Sequence, residues 1–216
     1  VDYGNPSSQH KKGLTAKDYE RTATEQVAQT LKCMPKEIVF TSGGTEANNT
    51  ALFGTAQAKK RRGNRVVVSA VEHSSIVEAA NKLESDGFEV VRIAPRADGI
   101  IYADDVAAAV DSGTILVSVM LVNNETGAIM PIDKIFSAVR AKNPDVVCHT
   151  DAVQAFGKIK INAKRLGADL ISVSAHKVHA PKGCGALYVK KGVRIVPLHY
   201  GGEQEKKLRP GTEALP

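Results

Sequence analysis

The sequence predicts an α/β domain of three layers built on a mostly parallel sheet. Two observations carry this. Strand-like and helical segments alternate along the chain with no internal repeat and no low-complexity linker, and several strand segments are continuous apolar runs. Alternation of this kind puts helices over both faces of a parallel sheet. A strand covered on both faces has no polar side to show, so its pattern is continuous, not alternating. The 216 residues fit one domain, residues 1–216, long enough to bury a substantial core.

The elements follow in order. Residues 16–32 form an amphipathic helix, and Glu37–Phe40 a short strand that ends in the turn Thr41-Ser42-Gly43-Gly44. A helix from about Thr45 to Arg62 leads to the apolar strand Arg65–Ala70. The polar pair Ser74-Ser75 opens a helix that reaches Asp86. Glu89–Ile93 is a strand, Ala103–Asp111 a helix, and Thr114–Leu121 a buried strand. Pro131 suits the first turn of a helix reaching Lys142, where a missing N–H costs nothing. Val146–Thr150, Leu170–Ser174 and Ala186–Val189 complete the strands.

Composition narrows the function. No apolar run approaches the ~20 residues that span a bilayer, and no basic-then-apolar leader opens the sequence. The three cysteines, Cys33, Cys148 and Cys184, are far apart and without a CxxC spacing. That predicts free thiols in a reducing cytoplasm. The net charge of +6 is spread along the chain; its one dense run, Lys59-Lys60-Arg61-Arg62, reads as a solvated helix end. With no Trp and 5% aromatic residues there is little to stack on bases, so nucleic acid is not an expected partner.

Five polar motifs sit at the ends of predicted strands, where α/β sheets collect their chemistry. Thr41-Ser42-Gly43-Gly44-Thr45-Glu46-Ala47-Asn48-Asn49 runs a strand through glycines into a helix. Unpaired N–H groups at a helix start suit a phosphate, with Gly44 allowing close approach and Thr45 adding a hydroxyl; a Thr-capped structural turn reads the same residues equally well. Asp151, in Thr150-Asp151-Ala152-Val153-Gln154, can pair with a protonated ring nitrogen of a ligand that Gln154 is close enough in sequence to reach, or it can cap the turn. Lys177, in Ser172-Val173-Ser174-Ala175-His176-Lys177, follows a buried strand; partial desolvation turns a lysine into a nucleophile toward carbonyls. Ser174 and His176 offer phosphate donors. His176, His179 and Cys184 are too loosely spaced for a metal site, beside a lysine that repels cations. His73, in Glu72-His73-Ser74-Ser75, can stack on a flat ligand or move protons, and equally can be structural. Asn124, in Val122-Asn123-Asn124-Glu125-Thr126-Gly127, can bond a ligand oxygen or belong to a turn. Together they supply an anion cradle, an acid for a ring nitrogen, a nucleophilic lysine and a stacking ring. Pyridoxal phosphate needs that set.

These motifs, with Gly4-Asn5-Pro6-Ser7-Ser8-Gln9-His10 and Gly201-Gly202-Glu203-Gln204-Glu205 followed by Arg209-Pro210-Gly211-Thr212-Glu213, come in an order that resembles the cysteine desulfurases. These lie in the class V aminotransferase branch of the fold type I pyridoxal-phosphate enzymes, and the stretch from Gly202-Glu203-Gln204-Glu205 to Arg209-Pro210-Gly211-Thr212 resembles the subgroup that feeds iron–sulfur assembly. The resemblance implies the three-layer large domain of that fold, with Lys177 binding the cofactor as a Schiff base and later taking the substrate's α-proton. It implies His73 stacked on the ring as the second catalytic residue, Asp151 on the ring nitrogen and Gln154 on the phenolic oxygen. Gly44, Thr45, Ser174 and His176 would hold the phosphate, and Asn124 would contact the substrate or the cofactor oxygen. Thr212 would reach the phosphate of a second subunit, which implies a homodimer. L-cysteine would be the substrate, giving alanine and an enzyme persulfide passed to a sulfur-acceptor or scaffold protein.

The sequence departs from the pattern at its ends. The family's persulfide cysteine and carboxylate-binding arginine lie in a smaller C-terminal domain, and none of Cys33, Cys148 and Cys184 matches that nucleophile's position. The expectation is a large-domain fragment that does not turn over cysteine by itself. A selenocysteine lyase, another class V enzyme, and a non-catalytic module that only binds cofactor or dimerises are the other readings.

Overall fold

A computed structural model describes residues 4–214; Val1–Tyr3, Leu215 and Pro216, the two ends of the expected domain, lie outside the described residues. In chain order the strands are β1 (Ile38–Thr41), β2 (Arg65–Ser69), β3 (Glu89–Ile93), β4 (Thr114–Ser118), β5 (Val147–Asp151), β6 (Leu170–Ser174) and β7 (Gly185–Val189). The helices are α1 (Lys11–Leu31), α2 (Gly44–Lys59), α3 (Ser74–Ser85), α4 (Ala103–Ala108), α5 (Ile132–Lys142) and α6 (Ala163–Leu166). The strands form one sheet in the order β1-β7-β6-β5-β4-β2-β3. β7 runs against both of its neighbours and the other pairings are parallel.

The continuous apolar runs are divided residue by residue between the two faces, because successive strand side chains point opposite ways. In β2, Val66 and Val68 pack with α2 and α3, while Val67 packs on the other side. Ala47, Ala51 and Leu52 of α2 and Ile76, Ala80 and Leu83 of α3 form the first layer. Ile132, Ile135, Phe136 and Val139 of α5 anchor the second, with Ala28 and Leu31 of α1. Burying each such large apolar side chain contributes roughly 1.5–3 kcal/mol. Val147 of β5 packs in the α2/α3 layer and Cys148 in the other, so His149 and Asp151, two and four residues on from Val147, face α2 and α3. His149 is fully buried, with Ser118 Oγ 2.8 Å from Nδ1 and Ser172 Oγ 2.9 Å from Nε2. Burial pushes its imidazole down to about 3, and as a neutral ring it staples β4, β5 and β6 together.

Several boundaries differ from the sequence expectation for local reasons. α1 begins at Lys11, not residue 16, because His10 caps it, its Nδ1 accepting from the Gly13 N–H. α4 stops at Ala108, and the expected helix end at Asp111 is a turn in which the Asp111 carboxylate accepts from the Gly113 N–H. β4 ends at Ser118, although Val119 and Leu121 still donate to the backbone of His149 and Asp151. α6 escaped prediction; four residues long, it is capped by Asn162 and stopped by Gly167 at φ 69°.

The parallel strands leave their carboxyl ends on one edge, and β7 starts there. Gly185 at that start is paired with both Thr41 and Ser174. A Cβ on Gly185 would lie 2.7 Å from the Gly43 backbone and 2.8 Å from the Val173 oxygen, so only glycine lets the Gly43 turn rest on β7. Gly185→Ala is expected to lower stability by about 1–3 kcal/mol through this overpacking, measured by urea unfolding; an unchanged midpoint would show that the turn shifts freely.

Candidate active site

The strand ends surround a cleft of about 430 Å³ lined by the Ser42–Glu46 turn, Asn48, His73, Ser75, Met120, Asn124, Asp151, Gln154, Ser174, His176 and Lys177, among others. All five motifs singled out in the sequence meet there, while Thr212 does not line it.

Gly43 opens α2 at φ 153° and ψ −177°, a conformation open to glycine almost alone. Gly44 is held closely: a Cβ there would lie 2.8 Å from the Val153 methyl and 3.4 Å from Ser174 Cβ. The turn is braced from within, since the Glu46 carboxylate accepts from the Ser42 N–H at 2.6 Å and from Arg209 Nε at 3.0 Å. Burial alone would raise the Glu46 pKa, and these bonds outweigh it and lower it. The first turn of α2 thus faces the cleft with N–H groups that have no helical acceptor, beside the exposed Thr45. Ser174 Oγ and His176 Nδ1 lie 2.8 Å apart on the same wall.

Asp151 is 4% exposed. One carboxylate oxygen accepts from the Val153 N–H at 2.8 Å and the other from Asn48 Nδ2 at 2.7 Å. Burial pushes its pKa up, against the pull of these two bonds and of His73. The same Asn48 amide nitrogen donates to Ser75 Oγ at 2.9 Å, and that hydroxyl lies 2.9 Å from His73 Nδ1. His73 caps α3, its Nδ1 accepting from the Ser75 N–H, so in a neutral ring Nε2 carries the hydrogen. An unbroken chain of hydrogen bonds therefore joins Asp151, Asn48, Ser75 and His73.

Asn48 and Ser75 were given no site role from the sequence, although Asn48 lay inside the glycine-turn motif and Ser75 inside the His73 motif. For Asn48, an asparagine within a helix, a poor helix former, was the available signal. Asn124 reaches the cleft because Asn123 shapes its turn, the Asn123 side-chain oxygen accepting from the Glu125 and Thr126 N–H groups. Gln154 Oε1 accepts from Lys158 at 3.1 Å.

One expectation needs correction. Lys177 is exposed, on a short 3-10 turn (Ala175–Val178) that follows β6, so the desolvation expected after a buried strand is not found. The turn carries the side chain out past the sheet edge and onto the rim of the cleft. Thr212 is also exposed, on a tail anchored by the Arg209–Glu46 pair and by Lys206 Nζ donating to the Ile38 carbonyl at 2.6 Å. Glu205, Lys206 and Lys207 all have positive φ, 45°, 59° and 65°. Among the described residues no group of three or more His, Cys, Asp or Glu side chains could hold a metal ion.

The donor set suits pyridoxal phosphate. The glycine cradle suits the phosphate, the buried Asp151 carboxyl suits a protonated ring nitrogen, and the Lys177 amine suits the aldehyde carbon.

Comparison with known proteins agrees with this geometry. The aminotransferase class-V family model matches residues 2–214. The chain is 43% identical over 215 residues to the cysteine desulfurase IscS of Methanosarcina thermophila, covering 100% of this chain and 53% of that protein. It is 44% identical over 214 residues to the putative cysteine desulfurase IscS 1 of Bacillus subtilis, covering 99% of this chain and 56% of that one. Among solved structures, a NifS-like protein superposes with a TM-score of 0.95 at 40% identity, over 98% of this chain and 58% of its own. SspA in complex with cysteine does so with 0.94 at 39% identity, over 98% and 61%. The chain spans little more than half the length of the curated relatives it matches. The chain belongs to the aminotransferase class-V family, and its cleft is that of a pyridoxal-phosphate enzyme.

Proposed function

We infer that this chain is the cofactor-binding part of a cysteine desulfurase. The observation that carries the reading is the convergence of Lys177, Asp151 and His73 with the glycine-opened end of α2 in one cleft. The names of the relatives, and a structural neighbour described in complex with cysteine, support cysteine as the substrate.

When bound, pyridoxal phosphate supplies a carbonyl for the substrate's amino group and a ring that draws electron density from its α-carbon. The protein's own residues do the rest. The α2 end with Thr45, Ser174 and His176 binds the phosphate and fixes the cofactor's position. Asp151, with both oxygens occupied by donors, keeps a proton on the ring nitrogen. The His73 ring, tied through Nδ1, would cover the cofactor ring, and Gln154 would donate to its phenolic oxygen. Lys177 Nζ, on the rim, would hold the aldehyde carbon and serve as the base for the α-proton of the amino acid that Asn124 would orient.

Sulfur removal also needs an attacking thiolate. Burial pushes Cys33 and Cys148 up to about 12 and raises Cys184. None of these thiols lines the cleft. We therefore assign the persulfide-forming cysteine to a part of the protein other than the described residues. The exposed Thr212, away from its own cleft, supports a homodimer in which it reaches the partner's phosphate. Among the described residues no helix is long and apolar enough to cross a membrane; a cytoplasmic enzyme that hands sulfur to an acceptor or scaffold protein fits the three free cysteines.

Adding pyridoxal phosphate is expected to give the visible absorbance band of a lysine-bound cofactor, lost in Lys177→Ala; a band that survives that substitution contradicts the role of Lys177. L-cysteine is expected to shift the band of the full-length protein, and a full-length protein blind to L-cysteine contradicts the substrate. Asn48→Ala removes a donor from Asp151 and is expected to weaken cofactor binding roughly ten-fold, about 1.4 kcal/mol, read by titrating the band. Iodoacetamide at neutral pH is expected to label Cys33, Cys148 and Cys184 slowly, and rapid labelling of any of them would make it a candidate nucleophile.

A further inference from the structure

Glu72 has no part in the chemistry above, yet it is 8% exposed at the edge of the site. It lies between β2 and α3, one residue before His73. Its Oε1 accepts two hydrogen bonds, from Ser69 Oγ at 2.5 Å at the end of β2 and from the Met120 N–H at 2.7 Å just beyond β4. Its Oε2 is buried without a partner. Met120 and His73 both line the cleft, so this one carboxyl joins two of its walls.

Both donors converge on Oε1 and Oε2 has none, so ionisation would leave half of a buried charge without a donor, at considerable cost. A second carboxyl bears on it. Among the described residues Asp151 on β5 is the charged group that acts on Glu72, while Ser69 and Met120 face it as neutral donors. His73, from the same loop, acts on Asp151. We propose that Glu72 is a positioning residue of this site: as a neutral acid it ties the His73 loop to the Met120 end of β4 and leaves Asp151 as the charged carboxyl for the ring nitrogen. The second half of this role rests on the cofactor reading; the neutral state and the tie do not.

The electrostatics agree. Burial is the largest cause and pushes Glu72 up to about 8; the Asp151 charge adds to it, and the bonds from Ser69 and Met120 oppose it. A carboxyl whose folded value lies above its ordinary 4.5 contributes stability that is complete below 4.5 and is lost as pH rises through about 8.

The test is thermal unfolding of the cofactor-free chain as wild type, Glu72→Gln and Glu72→Ala across this pH range. Glutamine keeps the carbonyl acceptor and cannot ionise. Its midpoint is expected to climb relative to wild type as pH rises from 4.5 to about 8 and to level off above. Alanine strands both donors and is expected to melt below glutamine throughout. Curves for wild type and Glu72→Gln that stay parallel in pH overturn the neutral acid. The second readout is circular dichroism in the visible band after loading with pyridoxal phosphate. Glutamine is expected to keep the wild-type sign and intensity and alanine to lose intensity, as a displaced His73 predicts. A glutamine variant that behaves like alanine here overturns the positioning role. Failure of every variant, wild type included, to take up the cofactor would sink the cofactor reading, and the melting comparison would still decide the state of Glu72.

Discussion

Asn48 donates to Asp151 from the far side of a layer boundary: α2 supplies the amide and β5 the carboxylate, 103 residues apart in sequence. Asn48 is 1% exposed and Asp151 4%, so neither group has water to turn to, and each fixes the rotamer of the other. The amide must present its nitrogen, since its oxygen would face a carboxylate. With that settled, the same nitrogen reaches Ser75, and Ser75 sets His73. Asp151 and His73, the proposed ring-nitrogen acid and stacking imidazole, are therefore one unit, aligned by a helix whose first turn also forms the proposed phosphate cradle. On that reading, moving α2 would disturb three contacts to the cofactor at once.

The sheet makes this unit possible. Parallel strands bring β1, β2, β4, β5 and β6 to one edge with their carboxyl ends together, and the antiparallel β7 contributes its start there. The edge is stiffened beneath the cleft by the Ser118–His149–Ser172 row. Three buried polar residues in a row are tolerated because a neutral imidazole can use both of its ring nitrogens, donating with one and accepting with the other. The site is thus a rigid floor under a more open rim. The rim carries Lys177, Thr45 and His176, the groups that must meet a ligand arriving from solution.

Much of this was legible in the sequence. β3 and β6 are found at the expected bounds, because a short apolar or β-branched run between turn residues has few other readings. The three-layer architecture follows from the same runs. The helix ends were less legible: His10 as a cap and the Asp111 turn depend on side chains folding back onto nearby backbone, which period and propensity do not register. The cleft was visible as strand-end motifs, since residues at the ends of parallel strands must be neighbours whatever the loops do. Lys177 was misjudged in environment because the 3-10 turn lifting it off the sheet edge has no apolar period to announce it. Asn48, Ser75 and Glu72 lay inside strand-end motifs, yet their own roles were not legible, for a different reason. Each acts through a long-range bond or through burial, and no local spacing marks either.

The central claim is that Asp151, held by Asn48, keeps the ring nitrogen of bound pyridoxal phosphate protonated. Nuclear magnetic resonance of isotope-labelled ring nitrogen in the loaded chain measures this directly. A protonated ring nitrogen in wild type that becomes unprotonated in Asp151→Ala is the predicted result. An unprotonated nitrogen in wild type, or one indifferent to Asp151, contradicts the account.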